Sequence, residues 1–242
     1  SEPDGYTLLA GYTGTLAIGP SLYRNAGYDP RKDFEPIGSI GCSPSSLVVH
    51  PSLPVKSVAE LIAYAKANPG KVNFGSAGVG TVGHITGEYF AHATGIQIVH
   101  IPYKGTGPAL GDLLGGHIPM SFSPIATTAG NVKAGLLRGL AVTSIHRNTL
   151  LPDVPTMIEA GVPDFDASLC YGLVAPVGTP RPVIDRLNKA LRSALASDEV
   201  KKQLELDGTE ITPSTPEQYA DFIDKDEKKW SELAKASGVE PE

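Results

Sequence analysis

Residues 72–84 read VNFGSAGVGTVGH. Val72 and Phe74 alternate with Asn73 and Gly75, the period of a half-buried strand. The run then breaks into Gly75, Gly78, Gly80 and Gly83 before helix-compatible sequence resumes. Strand, glycine loop and helix in succession are the local pattern of an α/β sheet. Two other stretches share it: YTLLA followed by GYTGT (Gly11 to Thr15), and IQIVHI followed by PYKGTG (Pro102 to Gly107). Repetition of this unit predicts an α/β fold with mainly parallel sheets and right-handed crossovers.

Gly78-Val79-Gly80-Thr81-Val82-Gly83 is a literal G-x-G-x-x-G. A dinucleotide site also needs an acidic residue at the end of the next strand, to hold the ribose. That region reads GIQIVHIPYKG and offers His100, Pro102 and Lys104 but no carboxylate. A Walker loop fails because no Gly-Lys-Ser/Thr closes the run. A nucleophile elbow needs Gly-x-Ser-x-Gly, and Phe74 stands where its first glycine belongs. An α/β hydrolase using Ser76 and His84 is therefore the alternative function, and it lacks an evident acid to orient His84. His84 and Glu88 have the i, i+4 spacing of two metal ligands, with no third nearby in sequence. A helix-start histidine touching backbone or solvent is the preferred reading, and no cofactor or metal is expected.

An anion cradle remains. The first N–H groups of a helix lack internal partners and carry partial positive charge. Glycine allows close approach, and Ser76 and Thr81 would add hydroxyl donors. Such a loop suits a carboxylate as well as a phosphate. For one loop alone, a tight turn that merely needs glycine is the simpler explanation. Several such loops at the carboxyl ends of strands favour a site, because ligands of open α/β sheets bind there.

The composition restricts the partners. The 242 residues carry a formal net charge of −6 and are 41% hydrophobic, enough for two modest domains. With no basic stripe, nucleic acid is not an expected partner. No apolar run approaches the ~20 residues needed to cross a bilayer, and no signal peptide opens the sequence. Cys42 and Cys170 are the only cysteines and read as two buried free thiols in preference to a bridge.

Helix starts are well marked. Ser57 to Glu60 is a capping box before LIAYAKAN, which Pro69-Gly70 ends. Thr179-Pro180 predicts a cap and first-turn proline for a helix with Val183, Leu187, Leu191 and Leu195 on one stripe. Thr215 to Gln218 repeats the device before a helix to about Ser237. That helix should bury Tyr219, Phe222, Ile223, Trp230 and Leu233, with DKDEKKW as a solvated face. IPMSFS, RGLAVTS, SLCYGLVA and TEIT are further strand candidates. FEPIGSIGCS (34–43) and FDASLCYGLVAP (165–176) flank the glycine-rich middle and predict a two-strand hinge. The expected domains are 1–42 plus 166–242, and an inserted α/β domain over 43–165.

In order, PDGYTLL, YDPRKDFEPIG, VNFGSAGVGTVGHITGEYF, IPYKGTGPALGDLLGGHI, LPDVPTMIEAGVPDF and YGLVAPVGTPRPVIDRLNKAL resemble the Bug-type receptors. These are the periplasmic solute-binding proteins of tripartite tricarboxylate transporters. The resemblance covers nearly the whole chain. It implies a two-domain periplasmic-binding-protein-like fold that closes on a small carboxylate in the interdomain cleft, without catalysis. The ligand would be a di- or tricarboxylate or an acidic amino acid, and the protein partner would be the membrane transporter subunits. Carried over, the site is Ser76, Gly78, Gly80, Thr81 and His84, with Tyr103, Lys104 and Gly105 from the next loop and Thr13 from the first domain. Tyr171 stands where the family tends to place tryptophan, and Tyr12 where it tends to place a small hydroxyl residue. The family also carries an earlier strand and loop before PDGYTLL, so the first domain is expected to be N-terminally incomplete unless the natural protein is longer.

Overall fold

A computed structural model describes residues 1–19 and 27–236. The chain divides into two compact units, Ser1–Cys42 with Leu169–Glu242, and Ser43–Ser168. The strands and helices of the chain's first part are β1 (Leu9–Tyr12), a short π-helix (Gly14–Ile18), β2 (Phe34–Ser43), β3 (Ser45–Val49), α1 (Val58–Ala67), β4 (Val72–Ser76) and α2 (Val82–Thr94). Next come β5 (Ile98–Pro102), α3 (Thr106–Leu114), β6 (Met120–Pro124), α4 (Ile125–Lys133) and β7 (Arg138–Val142). The last are β8 (Leu169–Pro176), α5 (Arg181–Leu195), α6 (Asp198–Leu206), β9 (Glu210–Ile211) and α7 (Pro216–Ala236). The helix end expected near Ser237 lies outside the described residues.

In the unit Ser43–Ser168 the sheet order is β5-β4-β6-β3-β7. β4 runs parallel to β5 and β6, as consecutive strand–helix–strand units require. β3 is the exception: it lies antiparallel between β6 and β7. All five of its residues are buried, so it shows none of the alternation that marks a half-exposed strand. The core is Leu47, Phe74, Met120 and Phe122 from the sheet against Leu61, Ile85, Phe90 and Leu113 from the helices. Each such side chain contributes about 1.5–3 kcal/mol of transfer free energy. Gly87 brings α2 close to the sheet: a Cβ there would lie 2.2 Å from the Phe74 ring.

The carboxyl ends of β4, β5 and β6 share one edge of this sheet. Register pairs Ser45, the first residue of β3, with Pro124, the last of β6. At the same edge Thr143 N–H donates to Ser45 O, Ala167 N–H to Thr143 O, and Ile125 N–H to Pro44 O. The polypeptide therefore enters and leaves this unit beside the ends of its parallel strands.

The other unit has the strand order β1-β8-β2-β9. β1 is antiparallel to β8, from Leu9 opposite Val174 to Tyr12 opposite Tyr171. β2 is antiparallel to β9. These two pairings are antiparallel, unlike those of β4 with β5 and β6. Here β1 and β8, neighbours in the sheet, come from distant parts of the chain. Cys42 and Cys170 form a disulfide with Cα atoms 4.0 Å apart, which corrects the free-thiol reading. β2 and β8 are adjacent in the sheet, so the two side chains meet across neighbouring strands.

Both helix starts are capped. Ser57 Oγ accepts from Glu60 N–H at 3.2 Å, while the Glu60 carboxylate reaches back to Lys56 N–H at 2.7 Å and not to Ser57. Thr215 and Gln218 cap each other reciprocally. Thr179 does not cap α5: its hydroxyl donates to Pro176 O, and Pro180 is the N-cap. The charged stretch of α7 is not wholly solvated either. Asp226 is buried, accepting from Trp230 Nε1 at 3.0 Å and from Thr13 Oγ1 at 3.3 Å.

Candidate functional site

Helices follow the ends of β4 and β5 after short loops and the end of β6 directly, and none of the three has a side-chain cap. At α2 the first intrahelical bond is Ile85 N–H to Thr81 O, so the amides of Val82, Gly83 and His84 precede it. α3 follows Gly105 at φ +124° and opens with Thr106 and Gly107. α4 follows Pro124; its first amide, Ile125, is taken by Pro44 O, leaving Ala126 and Thr127 next in line. Each uncapped helix start carries partial positive charge, and these three belong to neighbouring strands. By contrast, Ser57 caps α1 and Ser197 caps α6.

The glycine loop has an internal scaffold. Gly78 sits at φ +142° and Gly80 at φ +75°, conformations that side chains other than glycine rarely adopt. Ser76 Oγ donates to Gly78 O at 3.0 Å and accepts from Gly78 N–H at 3.1 Å. Thr81 Oγ1 donates to the same carbonyl at 2.8 Å. The hydroxyls of Ser76 and Thr81 are therefore directed into the loop. They shape the turn, and the amides of Gly78 and Gly80 are held by Ser76 Oγ and His84 Nδ1.

The next loop is laced to this one. Tyr103 N–H donates to Ser76 O, and Gly105 N–H to Ala77 O. Tyr103 OH donates to Asp112 Oδ2 at 2.7 Å. Desolvation, with help from Asp112, pushes that phenol up to about 12. Lys104 is exposed.

His84 is buried, and its Nδ1 accepts from Gly80 N–H at 3.1 Å. This is the backbone contact expected of a helix-start histidine. Its Nε2 lies 3.8 Å from Glu88. Ser76 Oγ does not meet His84. It lies 2.6 Å from His100 Nε2, and the two imidazoles stack with centroids 3.8 Å apart. The hydrolase pairing of Ser76 with His84 is absent, because a different histidine occupies the hydroxyl. His100 escaped sequence reasoning, which searched its neighbourhood only for a carboxylate. The start of α4 also escaped it, since Pro124-Ile125 carries neither glycine nor a capping residue.

The tripartite tricarboxylate transporter family receptor pattern matches residues 1–239. The chain belongs to that family. BugT of Bordetella pertussis is 37% identical over 99% of this receptor and 74% of its own length. The solved structure of the periplasmic binding protein BugD is 36% identical, with a TM-score of 0.87 over 100% of this receptor and 81% of that chain. MatC from Rhodopseudomonas palustris, solved with malate, is 28% identical at a TM-score of 0.84, covering 97% of this receptor and 80% of that chain. Another R. palustris protein, solved with adipate, is 35% identical at a TM-score of 0.90, covering 100% and 81% respectively.

Two residues carried over from the family lie in the other unit of this receptor. Thr13 is buried, and its hydroxyl accepts from Cys170 N–H at 2.9 Å while donating to Asp226. That hydroxyl holds the end of β1 to α7. Tyr171 is half-buried on β8 opposite Tyr12, and burial pushes its phenol up.

Proposed function

We propose that this receptor binds a small carboxylate outside the cytoplasm and delivers it to the membrane subunits of a tripartite tricarboxylate-type transporter, without turnover. One observation carries the reading: the uncapped starts of α2, α3 and α4, side by side at the ends of β4, β5 and β6. The amides of Val82, Gly83, Thr106, Gly107, Ala126 and Thr127 are the proposed donors. Ser76, Gly78, Gly80 and Thr81 hold the first of these starts in shape. Neutral main-chain donors on packed helices need little reordering when an anion arrives. The relatives solved with adipate and malate support a dicarboxylate of four to six carbons. The Cys42–Cys170 bridge supports an oxidising, extracytoplasmic compartment.

A thermal-shift and calorimetric screen of mono-, di- and tricarboxylates and acidic amino acids tests this. A true ligand at a hundredfold excess over Kd stabilises by about 2.7 kcal/mol. The same ligand should perturb the amides of Val82, Gly83 and Thr106 in a ¹⁵N spectrum. A ligand that shifts only amides elsewhere, or no response to any carboxylate, overturns the reading.

A further inference from the structure

The stacked imidazoles sit beside the glycine loop, and each grips one end of it. His84 lies in the first turn of α2. His100 lies in the middle of β5, in register with Phe74 of β4. The Phe74 ring tilts against His100 with centroids 5.0 Å apart, so the pair is backed by the core. His84 holds the Gly80 amide, and His100 holds the Ser76 hydroxyl. Ser76 in turn grips both the N–H and the C=O of Gly78.

The hydrogen bonds define the protonation of both rings. Nδ1 of His84 accepts an N–H, so it carries no proton, and Nε2 is the protonated nitrogen. Ser76 has one hydroxyl proton, and Gly78 O can only accept it. His100 Nε2 must therefore donate to Ser76 Oγ when all these contacts are made together. Two neutral rings in face-to-face contact satisfy every one of these bonds. A proton on His84 Nδ1 would remove the acceptor that Gly80 uses.

We propose that His84 and His100 are positioning residues for ligand capture: as a neutral stacked pair they fix the main chain of residues 76–84 so that the opening amides of α2 stand ready for the carboxylate. This rests on the function proposed above. The pair bonds to the loop, so its effect is transmitted through Gly80, Gly78 and Ser76. Burial holds both imidazoles down to about 4, which keeps them neutral at physiological pH. Their ionisable neighbours are each other and Glu88, whose carboxyl burial pushes up.

Four variants test the proposal: His84→Ala, His84→Asn, His100→Ala and His100→Gln. Asparagine places an acceptor near Nδ1, and glutamine a donor near Nε2; neither titrates. Each alanine variant should weaken adipate or malate binding about tenfold, the equivalent of one well-placed hydrogen bond. The conservative variants should recover most of that loss. Without ligand, the Gly80 amide should shift and exchange faster in His84→Ala and return toward its original position in His84→Asn. In the unsubstituted protein the Gly80 amide should titrate in acid together with the imidazoles, and in His84→Asn it should not. Glu88→Gln should leave that titration in place. Alanine variants that bind as tightly as the parent, or a Gly80 amide indifferent to residue 84, overturn the proposal. If the parent binds neither adipate nor malate, the functional reading fails for those ligands, and the Gly80 amide still decides the positioning role. Circular dichroism melts confirm that each variant is folded.

Discussion

Reduction of the Cys42–Cys170 bridge separates two ways in which this protein can unfold. The bridge closes a sequence separation of 128 residues. If the whole chain unfolds at once, closing that loop removes denatured-state entropy worth about 5 kcal/mol. The unit Ser43–Ser168 has a core of its own, however. Its two ends are already held at one edge by the Thr143 bonds to Ser45 and Ala167. If it stays folded while the other unit opens, the loop is effectively a few residues long, and the same relation gives about 2 kcal/mol. The smaller value is the expected one. Trp230 is the only tryptophan and is fully buried in the unit that holds the bridge. Its fluorescence in urea reports that unit alone, while far-ultraviolet circular dichroism reports both. Reduction should lower the fluorescence midpoint and leave a second, dichroic transition unmoved. A loss near the larger value with coincident transitions would mean that the two units unfold as one. An unchanged midpoint after complete reduction, or two alkylatable thiols in the unreduced denatured protein, refutes the reasoning.

Three further outcomes are expected. Asp226→Ala should destabilise by about 2–4 kcal/mol, because the Trp230 indole N–H and the Thr13 hydroxyl both lose a buried acceptor; Asp226→Asn should cost less in the same urea titration. Gly87→Ala should cost about 1–3 kcal/mol through overpacking against Phe74, and Gly78→Ala should distort the loop through its φ of +142°, each read from thermal melts with and without ligand. Stability should also fall with acid. The unfolded histidines take up protons near 6.5, whereas His84 and His100 in the fold resist until about 4, so the unfolded state binds more protons between those values and loses less by opening. Urea midpoints measured from pH 7 to pH 4 should drop through that window. A flat profile in the parent would show the imidazoles to be no more buried than in the unfolded chain.

The parts of the fold that are written locally were legible in the sequence. Ser57 and Thr215 announce their helices because capping is a contact between residues three apart. The span 34–43 matches β2, because turn residues bound it on both sides. The glycines of the second strand–loop–helix unit mark a real loop with two residues at positive φ. The parts set by distant contacts were not legible. Ser45–Val49 is buried on both faces and merges with β2 across Pro44, so no periodicity reveals a separate antiparallel strand. Asp226 reads as solvated because its partners, Thr13 and Trp230, lie far away or look merely apolar. In the site, glycine and hydroxyl residues pointed to the loop at 76–84, but the direction of each O–H depends on Gly78 O and His100. That is tertiary information. The same holds for the bridge: two cysteines 128 residues apart give no sign of sharing neighbouring strands.

The unit that carries β1 is assembled from both ends of the chain, and the unit Ser43–Ser168 is continuous. During synthesis from the N-terminus, residues 43–168 can complete every contact they need while α7 has yet to be made. β1 and β2 meanwhile wait without β8, and Thr13 waits without Asp226. The lobe that bears the glycine loop is thus the first to mature, and the other closes around the last helix.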